Sequence, residues 1–567
     1  MDAQDRLARL ERALGDPRDP GNPLGHRAVL DAERRLELPP GGEELLAAFG
    51  MHEEFVPAPL GGRLRGYDVP ALLLRAVARR DFALALSYGG ACLVPAAAVW
   101  CHGSAAQQAA TARLLLAGDR LSVAFHDVAH GNDFSSSGVW ARPGADGGLV
   151  LGGRKRVITN APRAAALVVL ARTESAGPAG RPAYSAVLVE RVALSAGTLR
   201  DLPAVGGAGP RRCPSGGVEF LECRVPAGAL LGLAGQGTEI MLRALQVTRA
   251  LAPSMAVGCA DTALRMALTG PQVRTKTARR AVGSAFLDLL ICDSLLLTAL
   301  RTLHLAPAES SLGTAAAKYL VPKLLREAVA GLAPAAAAGP GRQALATLRK
   351  QARDVAGLPP GHTGTAASLA AILPQLPTLA RRSWTDGPRP IPGLFRRFGP
   401  LPDLDPARLS AAAHGDPLTN TLIYAVEAVE DALPGPGHEG LVTSIRALAK
   451  EFTVVRDECR ALPERDPSAL ATPRGFAIAE RYTLLAAAAS CIGVWLECRG
   501  DPEAGFLAEP AWLGEALARV CRRLSLPGAC GGRPEDFEAA FTQAVARAGA
   551  GRSLDLYETG IGPAADR

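Results

Sequence analysis

The residues best suited to chemistry in this 567-residue chain gather between Leu121 and Asn160, which reads LSVAFHDVAHGNDFSSSGVWARPGADGGLVLGGRKRVITN. It opens with the alternating run Leu121-Ser122-Val123-Ala124-Phe125, the pattern of a strand with one buried face. A turn-forming His130-Gly131-Asn132-Asp133 follows, and a second strand pair is predicted around the glycine-rich hairpin Pro143 to Gly148. The stretch ends in Lys155-Arg156-Val157-Ile158-Thr159-Asn160. Far downstream, His362 lies in the loop sequence Pro360-Gly361-His362-Thr363-Gly364. A neutral imidazole there can take up a proton, because its unperturbed pKa lies near physiological pH. The 11 cysteines form no CxxC pair, and His102, His304 and His438 have no partners at ligand spacing, so no metal is expected. Cys491 and Cys498 are read as core residues on one helical face, and the run Gly232–Gly237 as a helix cap.

Several helical segments must position these residues. An Ala- and Leu-rich composition with 5 % aromatic residues favours helix for most of the length. Periodic segments cover 5–14, 27–35, 42–50, 69–78 and 107–116, then 235–268, 281–305 and 312–331. The last three make up what would be a four-helix bundle, with Pro253 expected to kink its first member. The segment 119–232 carries the β signal: 165–171, 184–191 and 216–223 are apolar or β-branched. The boundaries follow as 1–118, helical; 119–232, β; 233–435, a helical bundle with loops; and 436–567, a further helical domain. Within the last, Tyr482–Leu496 is apolar nearly all round and reads as a buried core helix.

No uninterrupted apolar run reaches about 20 residues, so no membrane span is expected. The charged N-terminus lacks a signal-peptide core and the cysteines read as reduced thiols, which together point to the cytoplasm. The formal charge of +7 is spread along the chain as a solvated surface; its sharper reading is a basic patch for a phosphate-bearing or acidic partner. No nucleic-acid motif is present.

The order and spacing of these segments resemble the acyl-CoA dehydrogenase/acyl-CoA oxidase superfamily. The stretch 121–160 is similar to its middle β-domain, where one strand normally ends in Thr-Glu-Pro-x-x-Gly-Ser-Asp and a second reads Lys-x-Trp-Ile-Thr-Asn. Arg79-Arg80-Asp81 resembles an Ala-Arg-x-Asp element of the N-terminal domain, 224–232 the exit from the sheet, and Ala315-Ala316-Ala317-Lys318-Tyr319-Leu320 an Ala-x-x-Ala-Lys-x-Leu element of the bundle. The resemblance implies a mainly α fold with a central β-domain: an N-terminal helical domain, a middle β-barrel, a C-terminal four-helix bundle, and an extra C-terminal helical domain as in acyl-CoA oxidases.

It also implies FAD and an acyl-CoA or acyl-carrier-protein thioester, oxidised between Cα and Cβ. A base removes the α-proton while the β-hydrogen passes to the flavin. Hydrogen bonds to the thioester carbonyl acidify the α-position, as an oxyanion hole does. By the same resemblance Phe125, His126, Gly131, Asn132, Val157 and Thr159 contact the cofactor, and Thr248-Arg249 the thioester ligand. Arg353-Asp354 precedes the catalytic loop by a fixed spacing, which brings His362 to the position of the family's carboxylate base. Departures are Asp127 for a Glu, Asn132 for a Ser, Val157 for a Trp, His362 for a Glu, and Thr269-Gly270-Pro271-Gln272-Val273 where an Arg-x-x-(Phe/Tyr)-Gly element belongs. The expected function is an acyl-thioester dehydrogenase or oxidase, by resemblance one that tailors natural-product acyl chains, working as a homodimer or tetramer. The alternative these departures motivate is a catalytically impaired, flavin-free subunit paired with an active paralogue.

Overall fold

The computed structural model describes residues 3–125, 137–176, 182–204, 212–269, 275–336, 341–357, 364–384, 391–434, 437–463, 470–526 and 532–562. Seven helices come first: α1 (Ala3–Leu14), α2 (His26–Arg34), α3 (Gly42–Phe49), α4 (Asp68–Arg80), α5 (Phe82–Ala85), α6 (Ala91–His102) and α7 (Ala105–Leu116). α1 shows why such segments are helical: Leu7, Leu10 and Leu14, three and four apart, are all buried. A capping box starts α7, with Ser104 and Gln107 exchanging side-chain-to-backbone hydrogen bonds. α5 and α6 join through a wide π turn, Leu86–Gly90. There a side chain on Gly89 would sit 2.4 Å from the Phe55 ring, so close packing demands glycine.

The β-domain comprises β1 (Arg120–Ala124), β2 (Trp140–Pro143), β3 (Leu149–Thr159), β4 (Ala164–Ala176), β5 (Pro182–Glu190), β6 (Leu199–Leu202), β7 (Ser215–Val225) and β8 (Leu230–Leu231). Their order is β6-β7-β3-β2-β4-β5-β8, with β1 parallel to β4. β2 and β3 form the hairpin around Pro143 to Gly148. The alternation at Leu121 to Phe125 does not mark one buried face. All five residues of β1 are buried, because Ala124 faces a core enclosed by the sheet while Leu121 and Val123 face the helices. Val169, Val187 and Val218 share the enclosed core; Val168, Leu170 and Leu188 join the helical one.

The bundle is α8 (Gly237–Leu268), α9 (Lys276–Leu305), α10 (Ser310–Gly331) and, after the short α11 (Ala333–Ala336), α12 (Arg342–Gly357). α8 runs on across Pro253 instead of ending there. Beyond α13 (Thr365–Ile372) and α14 (Leu376–Arg382) come α15 (Thr421–Ala432), α16 (Glu439–Arg460), α17 (Pro473–Cys498), α18 (Pro510–Arg523) and α19 (Pro534–Gly549). The Thr298 and Ser490 hydroxyls, 2.9 Å apart, join α9 to α17.

The count of apolar runs behind the membrane expectation overlooked three helices. The helical stretches Phe82–His102, Lys276–Leu305 and Pro473–Cys498 are each long and apolar enough to cross a membrane by length and composition. Isolated charges such as Asp288 and Asp293 interrupt the apolar run without lowering its average, which a count of uninterrupted residues misses. The most apolar window of each is 83 to 94 % covered by protein, as befits helices that are apolar on every side and lie in a core.

Candidate functional site

At the end of β3, the residues Lys155 to Asn160 tie the sheet to the π turn. Asn160 takes a left-handed backbone (φ 61°) that ends the strand. Its Nδ2 donates to the Ser87 carbonyl at 2.6 Å, while its buried Oδ1 has no hydrogen bond among the described residues. Ser122 Oγ donates to the Thr159 carbonyl at 2.7 Å, which fixes the end of β3 against β1. The half-buried Thr159 hydroxyl forms no hydrogen bond among the described residues. Lys155 is fully buried and donates from Nζ to the Phe125 carbonyl at 3.2 Å. Val157 is 46 % exposed, an open apolar position on the same strand.

A second group lies in the bundle. Thr248 and Arg249 on α8 are buried, and among the described residues neither the Thr248 hydroxyl nor Arg249 Nε has a hydrogen-bond partner. Burial pulls the Arg249 guanidinium down to about 10. Lys318, buried on α10, is pulled down to about 8 by burial and then by the charge of Arg249. The resemblance marked Lys318 as a sequence match; composition and spacing gave no sign that it would share a buried environment with Arg249.

A third group anchors the end of α12. Arg353 and Asp354 turn opposite ways. Arg353 pairs with Glu33 of α2 at the surface, 2.8 Å. Asp354 is buried and accepts from Lys350 Nζ at 2.6 Å. Lys350 also lies 3.1 Å from Asp81, which pairs with Arg212 as well. The other oxygen of Asp81 caps α5 by accepting from Leu84 N at 2.8 Å. Burial pushes the Asp81 carboxyl up, but Lys350 and Arg212 outweigh it and hold it below its usual value. Sequence reasoning missed this cluster, although the Lys350–Asp354 spacing of four on one helix was a readable half of it.

His126, Gly131, Asn132 and His362 lie outside the described residues, as do Asp127, Gly270 and Arg274. Of the remaining expected cofactor contacts, Phe125 directly follows β1, and Val157 and Thr159 lie on β3. Among the described residues no hydrogen bond or ion pair joins them to Thr248 and Arg249. No group of three metal-ligating side chains occurs there either.

A basic cavity of about 660 Å³ lies elsewhere, lined by Lys276, Arg279, Arg280, Arg519, Arg522 and Arg533. Several of its charges are already matched. Arg519 pairs with Asp288, Arg279 with Glu538 and Arg533 with Glu535. It contains none of the residues above.

No family model matches the chain. Its sequence is similar to mitochondrial isovaleryl-CoA dehydrogenase of Oryza sativa subsp. japonica, 28 % identical over 252 residues, which covers 44 % of this chain and 60 % of the relative. It is also similar to amino sugar nitrososynthase RubN8 of Streptomyces rubradiris, 32 % identical over 235 residues, covering 39 % of this chain and 52 % of the relative. The chain thus matches little more than half the length of these relatives. The fold resembles an acyl-CoA dehydrogenase complexed with FAD from Bacillus anthracis, with a TM-score of 0.67 at 15 % identity over 96 % of this chain and 88 % of the other. In sequence the chain is similar to members of the acyl-CoA dehydrogenase superfamily. Its mainly helical architecture around a central sheet is the fold of that superfamily.

Proposed function

We propose that the protein is an FAD-dependent acyl-thioester dehydrogenase or oxidase that places a double bond between Cα and Cβ. The observation that carries this reading is the end of β3. Thr159 and Asn160 are clamped between β1 and the π turn, yet among the described residues neither the half-buried Thr159 hydroxyl nor the buried Asn160 Oδ1 has a hydrogen bond. Buried polar atoms rarely go unpaired, so the Asn160 oxygen fits a polar heterocycle laid against the strand. The similarity to isovaleryl-CoA dehydrogenase supports the same assignment.

When bound, FAD supplies the acceptor for the β-hydrogen. The chain's own residues do the rest. Thr159 and Phe125 would hold FAD, and Thr248 would orient the thioester from α8. His362 takes the α-proton onto its imidazole. The Asp354–Lys350 pair anchors the end of α12, the last described element before His362 in the sequence. The thioester is that of CoA or a carrier protein.

A second reading is favoured by the nitrososynthase, whose name denotes chemistry at an amino sugar's nitrogen instead of an acyl chain. Product analysis separates the two. The protein loaded with FAD and given saturated acyl-CoA should yield a thioester lighter by two hydrogens. His362→Ala should retain flavin and lose this product. Unchanged turnover by His362→Ala would move the base elsewhere, and an amino sugar oxidised at nitrogen in place of a desaturated thioester would overturn the reading.

A further inference from the structure

The basic cavity of about 660 Å³ lies where the start of α9, the end of α18 and the start of α19 meet. Its size falls within the range of small-molecule sites. Six cations and two carboxylates line it. Arg279, Arg519 and Arg533 are each paired with a carboxylate. Lys276 and Arg280 of α9 and Arg522 of α18 form no ion pair or side-chain hydrogen bond among the described residues. Glu538 is taken by Arg279, which leaves Glu515 as the other lining carboxylate. Burial pushes the Glu515 carboxyl up, against the pull of Arg522 and Arg519, so it is a weak counter-charge.

The start of α9 adds to the imbalance. Its first turn holds no acidic residue, while Lys276, Arg279 and Arg280 stand within the run Lys276-Thr277-Ala278-Arg279-Arg280. Cations at this end oppose the helix dipole, which favours an anion there. α19 also brings its N-terminus to the cavity through Pro534. A solvated surface spreads like charges apart, whereas these converge on one concavity. The half-buried Phe537 gives the wall an aromatic ring. The tip of that ring is seated on Gly283, where a side chain would lie 2.6 Å from Cζ.

We propose that this cavity binds a nucleoside diphosphate, with the diphosphate among Lys276, Arg280 and Arg522 and the base against Phe537. The site goes beyond the proposed activity and depends on neither its flavin nor its thioester. Each guanidinium fork matches two phosphate oxygens, and Lys276 adds a point charge. An aromatic wall stacks a base of any identity. A free nucleotide and the nucleotide half of a cofactor share this chemistry, and the experiment separates them.

The test is equilibrium dialysis of labelled ADP against the full-length protein, with saturating FAD present throughout and flavin fluorescence read in parallel. ADP should bind without releasing flavin, and about fivefold tighter than inorganic pyrophosphate because of the stacked base. Arg280→Gln combined with Arg522→Gln should weaken ADP about tenfold or more, the effect of losing charge-assisted hydrogen bonds. Arg34→Gln with Arg35→Gln removes the same charge from exposed side chains at the end of α2 and should leave binding within about twofold, since salt screens distant charges. Phe537→Leu should bring ADP down to the affinity of pyrophosphate. Absence of ADP binding overturns the proposal, and so does binding that survives the loss of Arg280 and Arg522, which would put the nucleotide elsewhere. ADP that releases flavin would assign the cavity to the cofactor and overturn it too. Pyrophosphate binding as tightly as ADP would remove the nucleoside and sink the proposal as stated.

Discussion

Replacing Asp555 by asparagine tests how the end of the chain is built into the molecule. Asp555 Oδ2 accepts from Arg75 Nη1 at 3.0 Å and from Arg79, both on α4. Its Oδ1 accepts from Ser553 Oγ at 2.6 Å and from Tyr557 N at 3.1 Å. All three charged residues are buried. The neighbours Leu554 and Leu556 donate from their backbones to Asp261 on α8 and Asp293 on α9. One short segment therefore ties the N-terminal helices to the bundle. Asparagine keeps the shape but turns an NH₂ group toward guanidinium donors. Arg75 retains Asp293, and Arg79 retains Asp261 and Glu11, so the loss should fall at the lower end of the ~3–5 kcal/mol typical of a broken buried pair. At roughly 2 °C per kcal/mol for a large cooperative unit, Tm should drop by about 6 °C. Burial pushes the Asp555 carboxyl up, but Arg79 and Arg75 outweigh it and hold it well below the usual 3.8. A group depressed in this way contributes stability above its unfolded pKa and loses it as pH falls through its folded one. The gap between parent and Asp555→Asn should thus be constant from pH 8 down to about 4 and narrow below that. Scanning calorimetry across this range measures both. A drop under about 2 °C at pH 7, or a gap that widens in acid, would refute the reasoning.

Two other substitutions have equally definite outcomes. Lys350→Met should leave Asp354 buried without a partner and cost ~3–5 kcal/mol at pH 8. Burial already pushes the Asp354 carboxyl up, so the variant should recover part of its Tm at pH 5, where Asp354 takes up a proton. Asp416, fully buried beneath Trp384 and Tyr482, is pushed up to about 6 by burial. The folded state therefore binds this proton more tightly, and its stabilising effect is complete below pH 3.8 and lost as pH rises to about 6. Asp416→Asn should flatten that part of the stability profile, seen as a pH-independent Tm between 4 and 6; an unchanged slope would assign it to other groups.

What the residues disclosed in advance was local. Leucines three and four apart give α1, and the Gly-rich turn gives the β2–β3 hairpin, because neighbours along the chain decide both. The strand β1 misled because its alternation looks half-buried while helices cover its second face. The charged run Arg79-Arg80-Asp81 was no more legible. It reads as the polar end of a helix, yet all three side chains are buried, with partners at Glu11, Asp261, Lys350 and Asp555. Such pairings depend on contacts hundreds of residues apart, and no local pattern encodes them. For the site, Lys155, Thr159 and Thr248-Arg249 were named in advance only by resemblance. That Arg249 Nε has no partner among the described residues emerged only once its surroundings were known, since pairing is a property of space and not of sequence.

The central claim is that this chain holds FAD and reduces it with an acyl thioester. The most direct measurement is the visible spectrum of the FAD-loaded protein under nitrogen, before and after one equivalent of acyl-CoA. The expected result is a flavin band that bleaches on mixing and persists when the same thioester meets His362→Ala. A protein that takes up no FAD, or a band left unchanged by every acyl thioester tried, would contradict it.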